Sequence, residues 1–128
     1  MSNDIEKVKT ILVIDDDSSI LGLLQTILEG NDFNALLAAD GVYGMQLVKE
    51  NTPDLVLLDI TMPGPDGYHV IQSIREFSSI PIIMITGNHT SEATQRCFEL
   101  GANDYITKPF RPAEVVARIR TKLKRPNN

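Results

Sequence analysis

Apolar residues enter this chain in short bursts, separated by longer stretches in which they recur every three or four positions. The bursts ILVI (11–14), LVLL (55–58) and IIMI (82–85) are apolar at every position, and weaker ones occupy FNALLA (33–38) and DYIT (104–107). Short runs without polar alternation predict strands covered on both faces, as in a parallel sheet. Between them, Ile20, Leu23, Leu24, Ile27 and Leu28 fall on one face of a helix. Val42, Met45 and Val48 mark a second helix, and Val70, Ile71, Ile74 and Phe77 a third. Ala93, Cys97 and Leu100 mark a fourth, and Val115, Ile119 and Leu123 a fifth. This alternation predicts a doubly wound α/β sandwich with right-handed crossovers.

Parallel strands end on one side of such a fold, and ligands sit beyond their carboxyl ends. The residues at those ends therefore matter most. After ILVI come Asp15, Asp16 and Asp17; after LVLL, Asp59; after IIMI, Thr86; and after DYIT, Lys108. Carboxylates, a hydroxyl and an ammonium are thus expected to share one rim. Gathered carboxylates repel one another unless a cation joins them, and an all-oxygen ligand set favours magnesium or calcium over zinc. Magnesium fits better, because it takes one or two carboxylates, keeps waters and completes its shell with a phosphate oxygen. A lysine and a threonine beside it are donors to phosphoryl oxygens, so the rim points to phosphate chemistry on a carboxylate.

Length and charge narrow the classes. The 128 residues suit one domain, expected over 10–124, with 1–9 an N-terminal tail and 125–128 a C-terminal tail or the start of a linker. A formal net charge of −5 argues against direct nucleic-acid binding, and the basic run RIRTKLKR (118–125) suits a helix C-terminus with a solvated face. MSNDIEKVK lacks a signal-peptide core, and no apolar run approaches a membrane span. A single cysteine, Cys97, allows no internal disulfide and places the chain in a reducing cytoplasm, where it is expected to pack as a small apolar residue.

IDDD (14–17), LLDITMPGPDG (57–67), MITG (84–87) and DYITKPF (104–110), in this order and spacing, resemble the receiver domain of two-component response regulators, from about residue 9 to 124. The resemblance implies a flavodoxin-like, CheY-like five-stranded parallel sheet of order 2-1-3-4-5 with five helices. It implies that Asp59 takes a phosphoryl group from a phosphohistidine of a sensor histidine kinase or phosphotransfer protein. Asp16, Asp59 and the main-chain carbonyl of Thr61 would bind Mg2+, with Asp15 acting through a coordinated water. Thr86, Lys108 and the amides of Ile60 and Gly87 would hold phosphoryl oxygens, and the Lys108–Pro109 peptide would be cis.

The same resemblance has two further implications. Thr86 and Tyr105 would couple the phosphoryl group to the surface of the fourth helix, fifth strand and fifth helix. Asp104, Glu114 and Arg118 match charges through which receivers with winged-helix partners form homodimers, although the basic residue expected on the fourth helix is replaced by Thr94, with Arg96 as its substitute. Pro65 departs from the family's usual flexible residue and restricts Gly64. Asn88 stands where, in the family it resembles, side chains influence the access of water to the acyl phosphate.

Other readings are weaker. Asp17 or Ser18, and Asp66, are expected helix N-caps, while His69 and His89 lack the partners of a zinc site. A string similar to TGN (86–88) occurs in flavodoxin phosphate loops, but there it succeeds the first strand, which here runs into acids. Phosphatases of the haloacid dehalogenase type share the chemistry but need a second acid where this chain has Thr61.

Overall fold

The computed structural model describes residues 7–124, so residues 1–6 of the expected 1–9 tail and all of the expected 125–128 tail lie outside the described residues. Its strands are β1 (Thr10–Ile14), β2 (Asn34–Ala38), β3 (Leu55–Leu58), β4 (Ile82–Thr86) and β5 (Asp104–Thr107). Every pairing is parallel, in the order β2-β1-β3-β4-β5. The helices are α1 (Ser18–Glu29), α2 (Gly41–Asn51), α3 (Gly67–Arg75), α4 (Ser91–Leu100) and α5 (Pro112–Leu123).

Strand alternation divides the core in two. Leu12, Ile14, Val56, Leu58, Ile82 and Met84 face α2, α3 and α4, whereas Ile11, Val13, Leu55, Leu57, Ile83 and Ile85 face α1 and α5. All twelve are fully buried, as three uninterrupted apolar strands require. Cys97 is buried in the first cluster, and burial pushes its thiol up to about 11.

Side chains cap four helices. Asp17, Asp40, Asp66 and Thr90 each accept a bond from a first-turn amide, whereas α5 begins with Pro112, whose fixed φ suits a first turn. The helix faces need three corrections. Leu23, Val42 and Phe77 are exposed rather than buried, at 47%, 60% and 42%. Leu21 takes the place of Leu23 against the sheet, and Phe77 lies beyond the end of α3. The buried face of α2 is Gly41, Gly44, Leu47 and Val48, two of them glycines that carry no hydrophobic signal. A Cβ on Gly44 would meet Ile14 at 2.5 Å, so the missing side chain is what lets α2 approach β1.

Arg75 ties the far end of the sheet together. Its guanidinium donates to the Gly101 carbonyl (2.9 and 3.1 Å), the Ser78 carbonyl (3.1 Å) and Asn103 Oδ1 (2.9 Å), and Asn103 also accepts from the Ile82 amide. No carboxylate pairs with Arg75 among the described residues, and burial lowers its pKa. The carbonyls at the ends of α3 and α4 take that role.

Candidate functional site

The same backbone device places three of the site residues. The Asp15 amide bonds the Ala38 carbonyl, the Asp59 amide bonds the Ile14 carbonyl, and the Lys108 amide bonds the Thr86 carbonyl. Each continues a parallel ladder one step past its strand, so these side chains are set by the sheet rather than by a mobile loop. Asp15, Asp59 and Thr86 are the buried polar or charged residues among those described, at 0%, 6% and 1% exposure.

Lys108 joins the two buried acids. Its Nζ lies 2.8 Å from Asp15 Oδ2 and 3.2 Å from Asp59 Oδ2. Asp15 Oδ1 accepts the Asp17 amide at 2.9 Å, so both oxygens of Asp15 are engaged. Asp59 Oδ1 has only a long contact, 3.5 Å, from the Thr61 amide. Asp16 is exposed, and oxygens of Asp15, Asp16 and Asp59 lie within 4.8 Å of one another. A purely carboxylate donor set with one face open to water fits a hard divalent cation.

Charge and burial oppose each other here. Burial pushes the Asp15 carboxyl above the ordinary value of 3.8, with Asp59's charge adding to the effect and Lys108 and the Asp17 amide opposing it. Burial also works against the Lys108 ammonium, yet its bonds to Asp15 and Asp59 outweigh that and hold its pKa above 10.5. A second positive charge would relieve the remaining repulsion between the acids.

The other expected residues surround this centre. Ile60 is buried and its carbonyl accepts the Gly67 amide at 2.7 Å, while Thr61 and Gly87 are exposed. Thr86 Oγ1 accepts the Asn88 amide at 3.2 Å, and the Lys108–Pro109 peptide is cis. The Tyr105 hydroxyl donates to the Asn88 carbonyl, so Asn88 meets the tyrosine through its backbone. Gly67 was not singled out by the sequence pattern. A Cβ there would lie 2.4 Å from the Asp59 carbonyl oxygen and 2.6 Å from Ile60 Cα, so only glycine lets α3 begin against the Asp59 loop. Its signal was its place directly after a capping aspartate.

Asp104, Glu114 and Arg118 come together within one chain. Arg118 bonds both Asp104 oxygens (3.0 and 3.1 Å) and Glu114 (3.2 Å), and Lys122 lies 4.0 Å from Asp104. The pairing of Arg96 with Glu114 is expected across a dimer rather than within one chain. Arg96 lies over the Tyr68 ring at 4.1 Å, because that ring on α3 faces α4 and offers its π surface to the guanidinium. His69 and His89 are both exposed and stand apart from the acidic centre.

Residues 11–120 match the family model described as the response regulator receiver domain. Among curated proteins, the chain is 43% identical over 115 residues to the DNA-binding response regulator MtrA of Mycolicibacterium paratuberculosis, covering 90% of this chain and 51% of that one. It is 47% identical over 117 residues to the probable transcriptional regulator ycf27 of Porphyridium aerugineum, covering 90% and 48%. The chain thus spans about half the length of these relatives. The BeF3-activated N-terminal receiver domain of Klebsiella pneumoniae RstA superposes with a TM-score of 0.88 at 31% identity, covering 91% of this chain and all of that one (100%).

Proposed function

The chain belongs to the response regulator receiver family, and on that premise we propose that it is a phosphorylation-controlled switch whose phosphoacceptor is Asp59. A carboxylate oxygen of Asp59 attacks the phosphorus of a phosphohistidine on a sensor histidine kinase or phosphotransfer protein. The P–N bond breaks, its electron pair returns to the histidine ring, and an acyl phosphate remains on Asp59.

The observation that carries this proposal is the convergence of buried Asp15 and Asp59 on one ammonium, with Asp16 within reach on the open side. Asp16, Asp59 and the Thr61 carbonyl would hold Mg2+, and Asp15, with both oxygens already engaged, would act through a coordinated water. Bound there, the cation would supply charge neutralisation for nucleophile and phosphoryl group alike. Lys108 exchanges its bond to Asp59 for a phosphoryl oxygen while keeping Asp15. Thr86 and the amides of Ile60 and Gly87 hold the remaining oxygens. The same residues make the domain catalyse its own phosphorylation and slow dephosphorylation.

Thr86 and Tyr105 transmit the change. A Thr86 hydroxyl drawn toward the phosphoryl group releases the Asn88 amide, and the Asn88 carbonyl is the partner of the Tyr105 hydroxyl. The Tyr105 ring also faces Phe98 on α4, with centroids 6.5 Å apart, so its movement reaches the α4–β5–α5 surface. Dimerisation through Asp104, Glu114 and Arg118 then requires these charges to exchange partners within the chain for partners across it. By analogy with MtrA and ycf27, the output is transcriptional, carried by a segment other than this domain, which itself does not contact nucleic acid. No helix among the described residues is long and apolar enough to cross a membrane, which accords with cytoplasmic action.

Reduction of the phosphorylated protein with borohydride, followed by peptide sequencing, tests the assignment. Homoserine at position 59 is expected, and homoserine at position 15 or 16 would refute it.

A further inference from the structure

The basic run at the end of α5 divides between two faces. Arg118 and Lys122 turn toward Asp104, whereas Arg120 and Lys124, one turn apart on the other face, meet Lys7 and Lys9 across a groove of about 830 Å³. The groove lies beyond the amino ends of β1 and β2, at the opposite end of the sheet from Asp59. Among the described residues none of these four cations has a carboxylate within 4.0 Å, and Asp32 is the one acid in the lining. In a chain of net charge −5, four neighbouring cations with no carboxylate partner among the described residues stand out.

Three apolar side chains, Val8, Phe33 and Leu123, line the groove among these polar ones. Val8 is 54% exposed, and Leu123 is half-buried beside it. Phe33 is only 8% exposed, with the Arg120 guanidinium 5.9 Å from its ring centre, so no aromatic face is free to stack a base.

We propose that this groove docks an acidic segment of a partner protein, one that carries an apolar side chain flanked by carboxylates. The apolar residue covers Val8 and Leu123, and the carboxylates pair with Lys7, Lys9, Arg120 and Lys124. Matching charge steers the encounter and sets its register, while the apolar contact supplies the selectivity. This surface is independent of the phosphoryl site, so the docked state forms whether or not Asp59 is phosphorylated.

The test is amide chemical-shift mapping of the full chain during titration with the acetylated peptide Glu-Glu-Leu-Phe-Glu-Glu. Shifts confined to 7–9, 31–33 and 120–124, weakening as salt is raised, are expected. Arg120→Glu should weaken binding roughly fivefold or more, with an otherwise unchanged spectrum showing that the variant folds. Replacing Leu-Phe in the peptide by Gly-Gly should weaken it too. Absence of shifts, shifts centred elsewhere, or equal binding of the glycine peptide would overturn the proposal. A twelve-residue oligothymidine that shifts the groove when the peptide does not would assign it to nucleic acid and overturn it equally.

Discussion

Replacing Lys108 by methionine keeps the bulk of the side chain but leaves Asp15 and Asp59 without their shared cation. At an effective dielectric of about 20, charges at 2.8 and 3.2 Å attract by roughly 6 and 5 kcal/mol before desolvation is counted. Most of that is offset by dehydration, and removing one partner of a buried pair costs about 3–5 kcal/mol net. The Lys108 side chain keeps 20% of its exposure, which places the expected loss near the lower end, about 3 kcal/mol. For a domain of this size that corresponds to about 10 °C in Tm. Thermal unfolding in EDTA, followed by circular dichroism, measures it directly. Adding Asp15→Asn should recover part of the loss, since the second change removes the stranded charge, and the double-mutant cycle should give a coupling of about 1–3 kcal/mol. A Tm within about 2 °C of wild type for Lys108→Met would mean that these carboxylates do not depend on Lys108, and the electrostatic account of the site would fail.

Gly67→Ala should destabilise the fold by about 3 kcal/mol in urea unfolding, near the top of the overpacking range, because the new Cβ meets the backbone of Asp59 and Ile60. Arg75→Met removes donors to Gly101, Ser78 and Asn103 and leaves the partly buried Gly101 and Ser78 carbonyls without this partner, while Asn103 keeps the Ile82 amide; a loss of about 2–3 kcal/mol is expected, and wild-type stability would contradict the tie at that end of the sheet. The directions of the pKa shifts set two pH limbs. Asp15 is raised above 3.8 in the folded chain, so its contribution favours folding below 3.8 and is lost as pH climbs through the raised value. Lys108 is raised above 10.5, so its contribution is intact below 10.5 and lost at higher pH. Urea unfolding in EDTA should show the alkaline fall in wild type but not in Lys108→Met.

The central strands could be recognised from sequence because β1, β3 and β4 are buried on both faces, leaving no polar position to blur the pattern. The flanking strands β2 and β5 carry partly exposed residues and gave weaker signals. Helix phase was harder. In α2 the contact surface runs through Gly41 and Gly44, so hydrophobicity alone selected Val42, which faces solvent. Asp15, Asp59, Thr86 and Lys108 were identifiable because each succeeds or ends a strand, and parallel strands bring such positions to one rim. The Arg75 contacts with Gly101 and Asn103, and the stacking of Arg96 on Tyr68, link residues 26–28 positions apart. No local pattern encodes such pairs, since they depend on where neighbouring helices end.

The central claim is that the acidic cluster of Asp15, Asp16 and Asp59 would hold a cation that lets Asp59 accept a phosphoryl group. Intact-protein mass spectrometry after incubation with acetyl phosphate, with and without Mg2+, tests it most directly on wild type and Asp59→Asn. The account predicts a gain of one phosphoryl group that requires both Mg2+ and Asp59. No gain in folded wild-type protein, or an equal gain in Asp59→Asn, would contradict it.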